Sequence, residues 1–304
     1  MELLYLAKPV YGGWVSLTAH LSLKQHYPIY KIRKTSQKKN RDFGYGATYQ
    51  NINIETLKTL ENPLITCIDK SCYHLLPHIE PNTHIIIHDP TELKIALLRY
   101  LPYLKIIVIR KSIKKLLKEK YNLESEFRHH PFYAFEKSNT EHNSGAISIS
   151  RIDFDKNIDI IIKTNDLLEN PIDIYGACND LYVYHKLKTT NFKEYYNGRF
   201  SKCFNELSNL LQNKKYMVDM SSIKNDGGGT QYTFIEAIYM GCILVINKKW
   251  VNNIDSIFIH NENCYVFENE LELKKILESS DPELEQKIIN NANILLQNNI
   301  NAKW

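Results

Sequence analysis

The 304-residue sequence contains no apolar run approaching the roughly 20 residues that a membrane-crossing helix needs. Its start, MELLYLAKPVYGG, lacks the basic region and long apolar core of a secretory signal and reads as a first strand. A soluble, cytoplasmic protein is therefore expected. The six cysteines (Cys67, Cys72, Cys178, Cys203, Cys242 and Cys264) include no Cys-x-x-Cys pair. That spacing argues against a structural zinc site and for reduced thiols. Neither an internal repeat of fixed period nor a low-complexity block is present. Heavy use of Lys, Asn and Ile suggests an AT-rich genome, viral or low-GC bacterial.

Short apolar runs alternate with segments of helical periodicity. LLYLA (3–7), LITCI (64–68), HIIIH (84–88) and KIIVI (105–109) have the continuous apolarity of buried parallel strands. WVSLTAHLSLKQH and TELKIALLRYL, lying between such runs, are expected helices. A polar stretch, EKSNTEHNSG (136–145), looks like an interdomain linker, after which a second alternation begins. The expected fold class is α/β, with doubly wound sheets in two domains. The boundaries read as 1–138 for the first domain and 146–285 for the second. A C-terminal helix over 286–304 is expected to pack back on the first domain.

Charge is divided unevenly. Residues 1–135 hold 20 Lys and Arg against 11 Asp and Glu, a balance of +9, while residues 136–304 hold 18 against 23, a balance of −5. A basic first half points to an anionic partner. The densest stretch is KIRKTSQKKNR (31–41), followed by FGYGATYQN. Lys38, Lys39, Arg41 and Tyr45 are its acceptor-binding candidates, because cations interleaved with rings suit nucleic acid: charges meet phosphates and rings stack on bases. A solvated lysine-rich loop is the alternative. KSIKKLLKEKY (111–121) has the pattern of a surface helix, although a basic amphipathic helix on a membrane would look similar.

The most informative segment is YMVDMSSIKNDGGGTQYTFIEAIYMGCILVIN (216–247), which reads as strand, glycine-rich loop, helix, glycine stop and strand. Gly227, Gly228 and Gly229 allow close approach to the backbone. The uncapped N–H groups of a helix opening near Thr230 then suit a diphosphate. Glu236, inside that helix, suits a ribose diol.

This segment resembles the donor signature of retaining GT-B glycosyltransferases, in which two Glu residues lie eight positions apart behind a glycine-bearing loop. Glu236 matches the second, ribose-binding Glu. The first falls on Gly228, a departure, with Asp226 two residues away. Thr230, Gln231 and Tyr232 match loop positions whose amides face the sugar and β-phosphate. Three further elements follow the family order. Gly12 and Gly13 match a glycine pair in the first βα turn. His88, with Asp89, matches a strand-end His that faces the donor sugar. Arg151 and Lys156, in ISISRIDFDKNIDIIIKTNDLL, match the strand–Arg–x4–Lys element that holds the diphosphate. EFRHHPFY (126–133) matches the short strand and Pro-containing loop before the linker.

The resemblance implies a GT-B fold, two Rossmann-like domains facing each other across a cleft, and a nucleotide-sugar donor, with UDP-glucose as the family default. His88, Arg151 and Lys156 are the implied catalytic residues. Gly12, Gly13, Arg151, Lys156, Gly229, Thr230, Gln231, Tyr232 and Glu236 are the implied donor contacts. Fixed positive charge would stabilise the leaving diphosphate, and no cofactor or essential metal is expected. YTFIEAIYMGCILV also resembles the corresponding helix of the T-even phage DNA α-glucosyltransferases, which makes a hydroxymethylated base in DNA one acceptor. A glycan, a lipid-linked sugar and a catalytically inert nucleotide-sugar-binding module remain open as alternatives.

Overall fold

The computed structural model describes residues 1–8, 12–137, 144–201, 203–222, 229–251 and 256–304. The chain divides into two compact units, Met1–Ala134 with Asn298–Trp304, and Phe135–Gln297. Most of the expected linker, 138–143, lies outside the described residues.

The first unit is built on eight strands: β1 (Glu2–Leu6), β2 (Ile29–Ile32), β3 (Gln37–Gly44), β4 (Ala47–Ile52), β5 (Pro63–Ile68), β6 (His84–Ile87), β7 (Lys105–Val108) and β8 (Glu126–Phe127). Their order across the sheet is β3-β4-β2-β1-β5-β6-β7-β8. All neighbours are parallel except β3 and β4. Its helices are α1 (Gly13–Gln25), α2 (Ile54–Leu57), α3 (Ile95–Leu98) and α4 (Lys111–Tyr121). The apolar runs predicted as strands are the central strands of this sheet. On one face Leu4, Ile65, Ile85 and Val108 pack with Leu97, Leu101, Ile113 and Leu117 in a single core. Every residue of α1 from Val15 to Ser22 is buried.

The helix expected over TELKIALLRYL is broken into pieces. Pro90–Glu92 form a 3₁₀ turn capped by Asp89, α3 has only four residues, and Leu101–Tyr103 form a second 3₁₀ turn containing Pro102. The apolar periodicity is present, but Leu93 and Lys94 leave the helical region (ψ 63° and 151°), and Pro102 has no N–H with which to continue the ladder beyond α3. KSIKKLLKEKY forms α4, with Ile113 and Leu117 buried one turn apart. Among the described residues no helix is long and apolar enough to cross a membrane.

At the chain's end, Lys24 Nζ donates to the carbonyls of Asn299 (3.2 Å), Ile300 (2.6 Å) and Ala302 (2.9 Å). An ammonium there satisfies carbonyls that a helix terminus leaves open. Trp304 Nε1 donates to the His129 carbonyl at 3.0 Å.

The second unit holds β9 (Ala146–Ile149), β10 (Asp173–Tyr175), β11 (Tyr216–Asp219), β12 (Ile243–Asn247) and β13 (Tyr265–Phe267). They form a parallel sheet of order β10-β9-β11-β12-β13. Its helices are α5 (Ile158–Asn165), α6 (Asp180–Tyr182), α7 (Phe192–Tyr195), α8 (Phe204–Leu211), α9 (Tyr232–Tyr239), α10 (Glu270–Glu278) and α11 (Pro282–Ile300), whose last residues group with the first unit. Ile158, Ile161, Ile162, Val218, Val245 and Phe267 belong to its core. Chain order reverses at β9, between β10 and β11. Open α/β sheets bind ligands beyond the carboxyl ends of strands at such a point.

Candidate functional site

In the second unit, the loops leaving β9 and β11 are joined by polar side chains. Lys156 Nζ donates to Ser221 Oγ at 2.7 Å and to Gln231 Oε1 at 3.1 Å. Asn157, held at φ 46°, donates through Nδ2 to the Met220 carbonyl (2.9 Å) and to Ser222 Oγ (2.8 Å). Ser222 N returns a bond to the Asp155 carbonyl at 2.7 Å. The buried carboxylate of Asp219 accepts from Ser221 N at 2.8 Å. One cation is thus anchored where three segments meet: the β9 loop, the β11 loop and the start of α9.

α9 begins at Tyr232 with Gln231 as its N-cap, whose side chain makes no capping bond. A helix start presents N–H donors and a positive dipole end, which favour an anion. Gly229 lies at φ 84°, and Gly241, at φ 88°, follows the helix as a left-handed stop. Glu236 is fully buried within α9, so it is not a surface charge. Asp226, Gly227 and Gly228 lie outside the described residues.

Arg151 sits apart from this junction in its contacts. Its guanidinium is exposed and pairs with Asp153 (3.1 Å) and Asp155 (3.2 Å). Asp153-Phe154-Asp155 has the spacing of a metal-binding Asp-x-Asp element, but both carboxylates are engaged with Arg151. Asp153 also accepts from Asn179 Nδ2 at 2.9 Å. Among the described residues, no group of three or more His, Cys, Asp and Glu side chains converges as a metal would require.

In the first unit, Gly12 is the N-cap of α1 with φ 80° and ψ −168°, a conformation open essentially to glycine alone. Space is open beside both Gly12 and Gly13. His88 follows β6 and is buried. Its Nε2 lies 2.7 Å from the Thr66 carbonyl and must therefore donate to it. Burial pushes the imidazole down to about 4, so the ring is neutral at pH 7 and Nδ1 is its acceptor.

One residue that sequence reasoning passed over completes this edge. Glu92, on the 3₁₀ turn after β6, is buried and accepts from Trp14 Nε1 (2.8 Å) and from His88 N (2.9 Å). Burial, reinforced by the nearby Asp89 charge, pushes its carboxyl up to about 8. The signal was available in HIIIHDPTEL: a carboxylate four residues after a strand-end His, behind a proline turn.

The acceptor candidates separate into two groups. Lys38, Lys39 and Arg41 are exposed on β3, the sheet's edge strand, and not on the lysine-rich loop that was the alternative. Tyr45 is buried, with its hydroxyl 3.3 Å from the Ser16 hydroxyl that donates to it, and Phe43 packs edge-on against Tyr5 at 5.0 Å. These two rings belong to the core and cannot stack on bases, which corrects the expectation for Tyr45. Lys31 is buried too, 5.0 Å and 5.3 Å from the ring centres of Tyr5 and Tyr49.

No family model matches the chain, and neither does any curated protein sequence. Solved structures do. Anabaena Alr3699/HepE in complex with UDP-glucose superposes with a TM-score of 0.71 at 11% identity, over 99% of this chain and 95% of that one. An alpha-glucosyltransferase in complex with UDP-glucose and DNA containing an abasic site gives a TM-score of 0.67 at 14% identity, over 98% and 95%. Sucrose-phosphate synthase from Thermosynechococcus elongatus gives 0.65 at 12% identity, over 99% and 95%. Two Rossmann-like α/β units, the sheet orders and these superpositions along nearly the whole chain show one thing together: this protein has the fold of the GT-B glycosyltransferases.

Proposed function

We propose that this protein is a retaining glycosyltransferase that moves glucose from UDP-glucose to an acceptor hydroxyl without an essential metal ion or other cofactor. The observation that carries the reading is the Lys156 junction. An ammonium is held at the switch point of a parallel sheet, bonded to Ser221 and to the N-cap residue of α9. That arrangement suits a diphosphate, whose negative charge grows as the sugar leaves. Superposed proteins that hold UDP-glucose support the choice of donor.

In this reading Lys156, Arg151 and the amides of Gly229, Thr230, Gln231 and Tyr232 stabilise the departing UDP. Glu236 takes the ribose. Gly12, Gly13 and the neutral His88 are the first unit's donor contacts. The bond from C1 of glucose to the β-phosphate oxygen breaks while the acceptor oxygen bonds to C1 on the same face. The acceptor proton passes to the β-phosphate. Domains over 1–138 and 146–285 share this work, in the cytoplasm of a host cell if the gene is viral.

For the acceptor we propose a hydroxymethylated base in DNA, supported by the exposed cations of β3 and the basic balance of the first half. The burial of Phe43 and Tyr45 removes two of the three rings in this stretch, leaving the half-buried Tyr49, and favours a second reading, a glycan or lipid-linked acceptor. Incubation with UDP-glucose should release UDP, and mass spectrometry of hydroxymethylated DNA and of oligosaccharides should show which gains a hexose. Turnover should survive full chelation. No UDP release with any acceptor would leave a nucleotide-sugar-binding module; loss with EDTA restored only by Mn²⁺ would overturn the metal-free mechanism.

A further inference from the structure

Glu92 closes a ring of hydrogen bonds beneath the first unit's ligand-facing edge. Its Oε1 accepts from Trp14 Nε1 at 2.8 Å and its Oε2 from His88 N at 2.9 Å. The Trp14 carbonyl accepts from Thr18 Oγ1 at 2.8 Å, and the same hydroxyl reaches Thr66 Oγ1 at 2.8 Å. The Thr66 carbonyl accepts from His88 Nε2 at 2.7 Å. The Trp14 ring itself lies edge-on to the His88 ring, with centres 6.3 Å apart. α1, β5 and the end of β6 are therefore locked together, and Glu92 is the only charged member of the ring.

A carboxylate is a costly way to do this. Apolar residues of similar volume commonly hold such a junction at no loss of stability. The position makes sense if geometry is what it secures. Trp14 follows directly on Gly12 and Gly13, and the second donor to Glu92 is the amide of His88 itself.

We propose that Glu92 is a positioning residue for glucosyl transfer: its carboxylate, accepting from Trp14 and His88 at once, holds Gly12–Gly13 and His88 in their donor-binding geometry. The proposal rests on the UDP-glucose donor reading. Two N–H donors, one to each oxygen, favour the ionised form, because protonation turns one oxygen into a donor and weakens it as an acceptor. The groups facing it are Asp89 and His88 on its own segment, Arg110 beyond β7, Cys67 on β5 and Tyr73 in the 3₁₀ helix Lys70–His78. Asp89 opposes ionisation and Arg110 assists it. With the carboxyl pushed up to about 8, mainly by burial, the competent form accumulates as pH rises through that value.

The test combines kinetics with a donor-free measurement. Glu92→Gln keeps shape but can accept only one of the two bonds, and should lower kcat/KM for UDP-glucose about 10- to 100-fold, the scale of a displaced contact group. Wild-type kcat/KM should rise with pH through about 8, and this limb should vanish in Glu92→Gln. Trp14→Phe removes one donor to the carboxylate and should shift the limb to higher pH. In the free protein, the Trp14 indole N–H resonance should titrate over the same range and stop doing so in Glu92→Gln. A folded Glu92→Gln with wild-type kcat/KM and pH profile overturns the proposal, as does an indole that does not titrate. Where Glu92→Gln fails to fold, an unmoved limb in Trp14→Phe does the same. Failure of the donor reading shows differently: wild-type protein releases no UDP at any pH, while the indole titration still decides whether Glu92 ionises against Trp14.

Discussion

The two sheet edges hold their polar groups in opposite ways. In the second unit Lys156, Asn157 and Ser222 lie in loops, partly open to solvent, and bond from one loop to the next. In the first unit Glu92, His88, Thr18 and Thr66 are buried and bond between a helix and two strands. Groups in loops can move with a ligand. Buried groups are displaced from their usual pKa ranges and fix a geometry before any ligand arrives. The second edge thus has the character of a charge donor, and the first that of a template.

The largest expected effect breaks the charge-donor half. Lys156→Ala should reduce the turnover of UDP-glucose by about 10²–10³-fold, the scale of removing a fixed donor to developing charge. Its stability cost should be near 1 kcal/mol, since two partly exposed hydrogen bonds are lost. Lys156→Arg should recover only part of the activity, because a planar fork cannot reproduce a point charge between Ser221 and Gln231. Arg151→Ala should cost less, about tenfold, because Asp153 and Asp155 already neutralise that guanidinium. Steady-state UDP release decides the order. Equal losses at both positions would erase the distinction between them.

A second prediction sharpens the template half through pH. His88 falls to about 4 and His130 to about 3, both by burial. The folded first unit therefore binds fewer protons than its unfolded chain, and stability is lost as pH falls from about 6.5 towards 4. His88 alone contributes on the order of 3 kcal/mol to that loss. Glu92 acts in the reverse sense. Its carboxyl is raised to about 8, so stability is lost as pH rises from the usual carboxylate range towards 8. The first unit should be most stable near pH 6.5. In the second unit, among the described residues, His260 is the only histidine whose pKa is displaced, lowered by burial. Hydrogen exchange, corrected for intrinsic rate and resolved by peptide, should show a steep acid limb for the first unit and a shallow one for the second. A parallel response would remove the contrast. A further consequence is that activity should rise over the range where Glu92 ionisation lowers stability, a trade expected where function needs a costly group.

Much of this was legible in the sequence, and the division follows the same physics. Parallel strands buried on both faces are continuous apolar runs, so β1, β5, β6 and β7 could be placed from LLYLA, LITCI, HIIIH and KIIVI. Lys156 and Gln231 could be singled out because a loop–helix element keeps its order along the chain. The Glu92 ring could not, because Trp14, Thr66 and Glu92 are far apart in sequence and only the sheet brings them together. TELKIALLRYL misled because apolar spacing reports a buried face and not an unbroken backbone, which Leu93 and Lys94 interrupt and Pro102 ends. Tyr45 misled for a related reason. A ring among lysines reads as surface, yet strand alternation and the turn after β3 deliver it to the α1 side, against Ser16.

The smallest expected effect concerns that edge strand. If β3 meets nucleic acid, its cations act without the rings of Phe43 and Tyr45, which are committed to the core. Lys38→Glu with Lys39→Glu should then lower the slope of log affinity against log salt by about 2, one for each phosphate that is no longer neutralised. UDP-glucose turnover without DNA should not change. Tyr45→Leu, which keeps apolar volume but removes the ring, should cost about 1–2 kcal/mol of stability and leave DNA affinity as it was. A ring stacked on a base would instead lose about 1–3 kcal/mol of binding. Salt-dependent binding of both variants to hydroxymethylated duplex decides between them. A Tyr45→Leu protein that folds normally and binds DNA weakly would return the ring to the acceptor. Lysine reversals without effect would take the acceptor away from β3 and towards an uncharged glycan.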